Sequence, residues 1–238
     1  MNNNEGGLNK IIFNYKKCKR YFGKNFYFWE LLIAFLSIPV MFFCVMVLNM
    51  SVSTVLSFMI YFFIFIILCV VCKSFFRITS DNKYDEECFK YIDSIKNEAV
   101  LHCGINNMPA DSVSKSVLCG YSGIKIKRAK TGKDGVNRSE APEITVLFFL
   151  DDCVRYYSTK IYTLKKGAIS NTSGAMYYKD IMSVNLKDEL FSTRKCDYAF
   201  KTMQIVGMGG SVTNFAVGLT DYAHIIETFQ KYVEKSRK

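Results

Sequence analysis

The sequence has little of what most enzyme active sites need. It contains two histidines, three prolines and one tryptophan among 238 residues. Neither His102 nor His224 lies in an HExxH motif or another spacing typical of metal ligands. The adjacent carboxylates Asp151 and Asp152 follow a predicted strand, where a turn explains them more simply than acid–base chemistry. We therefore predict no catalytic residue, no bound metal and no cofactor, and expect that the protein is not an enzyme.

Charged residues are absent from two long stretches, 31–48 and 52–72. The apolar core of a bilayer takes about 20 helical residues at roughly 1.5 Å each, and both stretches fit that length. Since only three residues separate them, two such helices would be antiparallel. The sequence thus predicts a transmembrane hairpin with spans at about 29–49 and 52–73. The alternative, two buried helices in a large soluble core, is hard to build from so short a chain.

Basic residues gather on the two flanks of this predicted hairpin. Those before it are Lys10, Lys16, Lys17, Lys19, Arg20 and Lys24, and those after it are Lys73 and Arg77. Because Lys and Arg are retained on the cytoplasmic side, the pattern predicts a multi-pass protein of the cell membrane with both termini cytoplasmic. The net charge of +10 is then explained by topology and by attraction to anionic lipid of the inner leaflet. Nucleic-acid binding would need a basic face interleaved with aromatic residues, and we do not predict it.

In the remaining sequence, apolar residues recur first at helical spacing and then at the spacing of strands. Residues 84–103 have one apolar face at helical spacing, and from residue 117 onward the period changes to two. We expect about seven short antiparallel strands, with turns at 171–174 and 207–210, and a closing helix over 221–234. The predicted organisation is a basic N-terminal segment (1–25), the hairpin (26–76), a linker with an amphipathic helix (77–118) and a cytoplasmic domain (119–238).

Two segments resemble the pleckstrin-homology-like (PH-like) family, in particular its bacterial membrane proteins. They are residues 157–169 (YSTKIYTLKKGAI) and 178–184 (YKDIMSV). The similarity covers about 143–236 and implies a binding module rather than a catalyst. Combined with the hairpin, it gives the expected fold class. That class is a membrane-anchored α+β protein in which a two-helix transmembrane hairpin precedes a PH-like bent antiparallel sheet or barrel, capped by a C-terminal helix.

The resemblance also suggests where a ligand would bind. Eukaryotic relatives bind phosphoinositides through basic residues between their first two strands, and a basic stretch lies in a similar place here. Together with the basic N-terminal segment, it supplies the candidate contacts for anionic lipid or a partner: Lys16, Lys17, Lys19, Arg20, Lys125, Lys127, Arg128 and Lys130. A solvated loop beside an anionic membrane is the simpler interpretation of the same residues.

Two functions follow from the sequence as hypotheses. The first is a non-enzymatic, membrane-anchored interaction or scaffold protein, which presents its PH-like domain to a protein partner or to further copies of itself. The second is a two-span membrane effector of the bacterial defence type. In that case the soluble domain would sense a ligand, and the hairpin would oligomerise to perturb the membrane.

Overall fold

A computed structural model gives the fold of the chain. It describes residues 18–19, 21–22, 43, 51, 53–54, 56–57, 60–64, 67, 80–109, 113–165, 168–194 and 196–237. The chain divides into one unit of residues 1–22 and 81–238, and a second unit of residues 23–80. In the second unit most described residues are helical, and Ser57 Oγ donates to the carbonyl of Ser53 at 3.0 Å, one turn earlier.

The expected fold class is wrong. Within the residues given above, no helix combines the length and the apolar character that a membrane crossing requires. The described chain is a sheet-rich α+β fold with three antiparallel sheets, in place of a transmembrane hairpin and a PH-like barrel. The prediction of an integral membrane protein is corrected together with the fold class. That prediction rested on two uncharged runs, and such runs show that a segment is apolar but do not show that it forms one continuous helix. The predicted spans lie largely outside the described residues, and the cellular location stays a prediction.

Two helices precede the strands of the first unit, α1 (Asp81–Phe89) and α2 (Ile92–His102). A single helix over 84–103 was predicted, but the chain turns at residues 90–91. Helix α2 buries Ile95 and Ala99, four residues apart on one face. Both helices pack against one face of the main sheet, and together with that face they form the first of two hydrophobic cores.

Nine strands follow, joined in three antiparallel sheets. Their bounds are β1 (Ser114–Tyr121), β2 (Ala129–Thr131), β3 (Asn137–Ser139), β4 (Pro142–Phe149), β5 (Cys153–Ile161), β6 (Ile169–Tyr177), β7 (Ile181–Ser192), β8 (Asp197–Gly207) and β9 (Val212–Ala216). The main sheet has the order β1-β4-β5-β6, the second sheet β7-β8-β9, and β2 pairs with β3 alone. Every residue of β4 is buried, because both faces of the main sheet are covered.

The second sheet and the last helix, α3 (Ala223–Ser236), cover the other face of the main sheet. Helix α3 buries Ile225, Phe229 and Val233, which recur every four residues. They pack in a second core that takes residues from both sheets. The fold therefore has three layers, with helices α1 and α2 on one side of the main sheet and the second sheet with α3 on the other.

One face of the main sheet meets the second sheet, and we call it the inner face. Strand β9 crosses this inner face. Phe215 packs against Tyr156 of β5, and the amide of Ala216 lies 3.4 Å from Glu143 of β4. At the C-terminal end of β9, a Cβ on Gly120 of β1 would lie 2.6 Å from the backbone carbonyl carbon of Ala216. Only a glycine permits this approach, which closes the two sheets along β1.

Candidate functional site

The inner face of the main sheet changes from polar to apolar along its strands. Residues that face the second sheet form four cross-strand rows from β4 through β5 to β6: Glu143–Lys160–Ser170, Thr145–Ser158–Thr172, Leu147–Tyr156–Gly174 and Phe149–Val154–Met176. Alternate residues of a strand share a face, so these rows lie side by side. The polar rows and the apolar rows thus make two ends of one surface, both reaching the edge strand β6.

Glu143 organises the polar end. Its Oε2 lies 3.2 Å from Nζ of Lys160, and its Oε1 accepts a hydrogen bond from Ser158 at 3.3 Å. Thr145 in turn donates to Ser158 at 2.8 Å. A buried carboxylate is costly unless it is paired and hydrogen-bonded, and Glu143 is both. This network holds the polar rows in place.

Lys160 also donates a hydrogen bond to Oγ of Ser122 at 2.8 Å. In some enzymes a lysine beside a serine acts as the base that activates the serine hydroxyl as a nucleophile. Ser122 is only 3% exposed, so a substrate cannot reach its hydroxyl. The ammonium group of Lys160 is ion-paired with Glu143 and has no lone pair to accept a proton. The contact therefore supports the fold and does not form a nucleophile.

A second carboxylate lies close to the same lysine. Burial raises the pKa of Glu189, Lys160 opposes the rise, and the negative charge of Glu143 adds to it. The charge of Lys160 therefore acts on two carboxylates, of which Glu143 is buried and Glu189 is half-buried. The polar end contains charges of both signs, and they compensate one another.

A polar pocket of about 230 Å³ opens above these rows. Six residues with side-chain hydroxyls line it: Tyr156, Ser158, Tyr162, Ser170, Thr172 and Thr213. Apart from Ser158, none of these hydroxyls donates to, or accepts from, another residue in the part of the chain that the structure describes. Lys125 also lines the pocket and has φ of 57°, in the left-handed region. Hydrogen-bonding capacity is therefore available at this end of the sheet.

A second pocket of about 360 Å³ lies at the other end of β6. Its lining is mixed, with the apolar side chains of Met176, Ile181, Ile205 and Met208 beside the polar side chains of Asp180, Ser211 and Thr213. Thr213 of β9 lines both pockets, which are therefore neighbours. We call the two pockets and the stretch of β6 beside them the β6 groove.

Tyr156 separates the two pockets. A Cβ on Gly174 would lie 2.8 Å from Oη of Tyr156 and 2.9 Å from the nearest atom of its ring, so the tyrosine side chain lies across β6 at this glycine. The ring packs edge-on against Phe215 with centroids 5.1 Å apart. The absence of a side chain at Gly174 is what allows the ring to lie there.

The outer edge of β6 lacks a strand partner in the part of the chain that the structure describes. β5 pairs along its full length on one side, from Cys153 opposite Tyr177 to Ile161 opposite Ile169. No strand among the described residues pairs with the other side. Such an edge presents backbone N–H and C=O groups at regular spacing, which is a template for a further strand.

The basic residues predicted as contacts do not converge on this groove. Of those described, Lys125 alone lines it. The backbone of Lys127 donates to Glu140 at 2.6 Å, and Nζ of Lys130 lies 4.4 Å from the centre of the Tyr21 ring. Lys19 and Arg128 are exposed. The other predicted contacts, Lys16, Lys17 and Arg20, lie outside the described residues.

A second polar cluster lies on the opposite side of the main sheet, around Arg138. Its guanidinium donates to Asp85 at 2.7 and 2.6 Å and to Asp134 at 2.8 and 2.7 Å. The hydrogen bonds from Arg138 hold the pKa of Asp134 well below its usual range. Tyr121 also donates to Asp85 at 2.5 Å. These groups satisfy one another, so the cluster stabilises the fold and offers no donor to a ligand.

Two buried thiols, Cys18 and Cys88, lie together in the first core. The hydrogen bond from Cys88 lowers the pKa of Cys18, whereas burial raises that of Cys88. Two thiols do not complete a zinc site, which takes four ligands. Across the described ranges, no group of three or more His, Cys, Asp or Glu residues is placed to hold a metal ion.

The chain matches no described protein family, no curated protein and no solved structure. The resemblance to the PH-like family therefore stays a prediction. The function has to be argued from the β6 groove itself.

Proposed function

We propose that the sheet domain, residues 113–237, is a protein-interaction module that binds an extended peptide segment along β6. The unpaired edge of β6 beside two side-chain pockets carries this proposal. An extended peptide can add to such an edge by main-chain hydrogen bonds, while its alternate side chains enter the pockets. Backbone pairing would supply affinity, and the pockets would supply selectivity.

The dimensions of the groove favour a peptide. The pockets, at about 230 and 360 Å³, are at or below the lower end of small-molecule sites and suit single side chains. Thr172 in the polar pocket and Met176 in the second pocket are four residues apart on one face of β6. At about 3.3 Å per residue, two anchors of a bound strand would lie roughly 13 Å apart.

The chemistry of the groove also favours binding over catalysis. Lys160 and Glu143 are paired with each other, and Ser122 is inaccessible. Hydroxyls and backbone amides remain available in the groove, together with the side chains of Lys125 and Asp180 at its margins, and hydroxyls and amides recognise polar groups by hydrogen bonding. A non-enzymatic interaction protein, the first hypothesis drawn from the sequence, is the function that this site supports best.

Selection from a displayed library of random heptapeptides tests the proposal. Thr213→Arg would place a long cationic side chain between the two pockets, and it should abolish binding of the selected peptides. Val212→Arg is the matched control, because Val212 is the preceding residue of β9, is 52% exposed and lines neither pocket. It should retain binding.

The same experiment has outcomes that contradict the proposal. If no peptide is enriched, or if Thr213→Arg binds the selected peptides as well as Val212→Arg, the groove is not a peptide site. Vesicles containing anionic lipid serve as a separate probe. Vesicle binding that is lost in Thr213→Arg, without any peptide binding, would assign the groove to a lipid headgroup. Hydrogen exchange should show added protection of β6 amides on peptide binding and none on β7.

A further inference from the structure

We infer that β6 pairs antiparallel with β6 of a second copy of this chain, about a two-fold axis at Ser173. The inference rests on the proposed function and deepens it, because it names the extended segment that the edge of β6 receives. It follows from the exposure of β6, from its lack of charge and from the register that a two-fold axis imposes.

Strand β6 is far more exposed than its neighbour β5. Six of the nine residues of β6 are exposed and none is buried, whereas six of the nine residues of β5 are buried. The outer backbone edge of β6 also lacks a partner among the described strands. A further strand would therefore cover side chains on both faces of β6 as well as its backbone groups.

Strand β6 has none of the features that keep an edge strand from pairing with another chain. Those features are charged side chains, prolines and bulges. No charged residue and no proline occurs from residue 167 to residue 178, and β6 pairs with β5 without a register shift. The edge strand of the second sheet, β7, contains Lys187, Asp188 and Glu189 and has a register shift after Ile181. Strand β7 is thus protected against pairing, and β6 is open to it.

The lack of charge also allows β6 to pair with itself. A two-fold axis perpendicular to a sheet places the central residue of a strand opposite its own copy, and like charges directly opposite each other are unfavourable. An axis in the middle of β7 would bring Lys187 or Asp188 opposite its own copy. The middle residue of β6 is Ser173, and its copy is an uncharged serine.

An axis at Ser173 pairs the two strands over their whole length. All nine residues then have an opposite residue, from Ile169 opposite Tyr177 of the second copy to Tyr177 opposite Ile169. An axis at Thr172 or Gly174 would pair only seven residues of β6, 169–175 or 171–177. Tyr177 is 48% exposed, and the side chain of Ile169 opposite it would cover part of that surface on the face toward the helices.

On the inner face, the same register gives Tyr156 a hydrogen-bond partner. The side chain of Tyr156 lies across Gly174, and Thr172 of the second copy would lie opposite that glycine. The hydroxyls of Tyr156 and Thr172 both lack a partner in the part of the chain that the structure describes. Each can donate and accept, so the two-fold axis would form this hydrogen bond twice. An axis at Gly174 would instead bring the two Tyr156 rings together.

Disulfide cross-linking of the full chain tests the register. Ser173→Cys places two thiols directly opposite each other, where Cα atoms are about 4.5–5.5 Å apart and a disulfide can form. Ala175→Cys is the matched control, because Ala175 is exposed on the same face of β6 but would lie about four residues, or roughly 14 Å, from its copy. Oxidised glutathione should cross-link Ser173→Cys into a dimer. Ala175→Cys should show no more cross-linked dimer than the wild-type chain.

Opposite charges at the axis test pairing in solution. Ser173→Lys and Ser173→Glu each bring two like charges together, so each variant alone should dimerise at least about tenfold more weakly than the wild type in analytical ultracentrifugation. An equimolar mixture should recover the dimer, because unlike charges then lie opposite each other. Asn185→Lys is the control, since Asn185 is exposed on the edge strand β7, and it should dimerise like the wild type. Circular dichroism confirms that the variants fold.

The outcomes separate this inference from the proposed function. A chain that stays monomeric while library peptides bind it would overturn the inference and leave the proposed function standing. A dimer that resists both charge variants and does not cross-link at residue 173 would also overturn the inference. Cross-linking at residue 173 without binding of any library peptide would support the inference and contradict a site for other peptides. A monomer that binds no library peptide would contradict both.

Competition gives a further test, because a peptide and a second copy need the same edge. A selected library peptide at saturating concentration should convert the dimer into monomers. A dimer that binds the peptide and stays intact would be formed elsewhere on the chain, and the inference would fail while the proposed function held.

Discussion

The guanidinium of Arg138 donates two hydrogen bonds to the carboxylate of Asp85, at 2.7 and 2.6 Å, and the arginine side chain is only 1% exposed. Asp85 belongs to helix α1 and Arg138 to strand β3, 53 residues later. The pair therefore fixes α1 to the β2–β3 hairpin. Its planar, two-point geometry is the kind that arginine makes and lysine does not.

Removing Asp85 should destabilise the protein strongly. Asp85→Ala leaves a buried guanidinium with one carboxylate and leaves the hydroxyl of Tyr121 without its acceptor. We expect the free energy of unfolding to fall by about 3–5 kcal/mol, measured by urea denaturation. Asp134→Ala is the control, since the side chain of Asp134 is 44% exposed, and it should cost about 1 kcal/mol. Equal losses in the two variants would contradict this account.

Local patterns predicted several elements correctly. The helix expected over 221–234 is α3, at Ala223–Ser236. The glycine-rich turn expected at 207–210 joins β8 to β9. These elements are set by hydrophobic period and turn chemistry, which a single sequence displays within a few residues.

Elements that depend on distant contacts were not predicted. The segment Asn171–Gly174 indicated a hairpin turn, but it lies inside β6. Gly174 serves there to admit the ring of Tyr156, a packing role that looks the same in sequence as a turn role. Because the predicted turn would have divided β6 into two strands, the groove beside β6 could not be predicted. The pairing of Asp85 with Arg138 also could not be predicted, since the two residues are 53 positions apart and only the fold brings them together.

Gly120 should tolerate no side chain. A Cβ there would lie 2.6 Å from backbone atoms of both Ala216 and Val217, and neither can move without separating the two sheets. Gly120→Ala should therefore lower the free energy of unfolding by about 1–3 kcal/mol or more. Gly218→Ala is the matched control, because an added Cβ would meet no atom within 4 Å. It should change stability by less than about 0.5 kcal/mol. The comparison uses thermal and urea unfolding, and a tolerated Gly120→Ala would refute the close approach.

Stability should fall at alkaline pH because of buried thiols, among them Cys103 and Cys119. Burial raises the pKa of Cys103 and of Cys119 to about 11, whereas an unfolded cysteine titrates near about 8.5. Between these values the unfolded state has lost the proton that the folded state retains, so rising pH favours unfolding. Each thiol contributes a slope of up to about 1.4 kcal/mol per pH unit in this window, and none below it.

Urea denaturation between pH 8 and 10.5 measures that slope. The double variant Cys103→Ala and Cys119→Val should show a shallower decline than the wild-type chain. Cys196→Ser serves as the control, since Cys196 is exposed, and its decline should match the wild type. A double variant with an unchanged slope would show that other groups cause the alkaline loss.

The contact between Tyr156 and Gly174 should appear as an energetic coupling. Gly174→Ala places a Cβ 2.8 Å from the tyrosine hydroxyl and forces the ring aside, so we expect a loss of about 1 kcal/mol in the free energy of unfolding. In the Tyr156→Ala background the obstacle is gone, and the same change should cost nothing. The coupling energy of this double-mutant cycle should therefore be about 1 kcal/mol. Ser173→Ala, at the exposed neighbouring position of β6, should show no coupling to Tyr156. Additive effects of Gly174→Ala and Tyr156→Ala would mean that the ring does not lie across β6, and the division of the groove into two pockets would lose its basis.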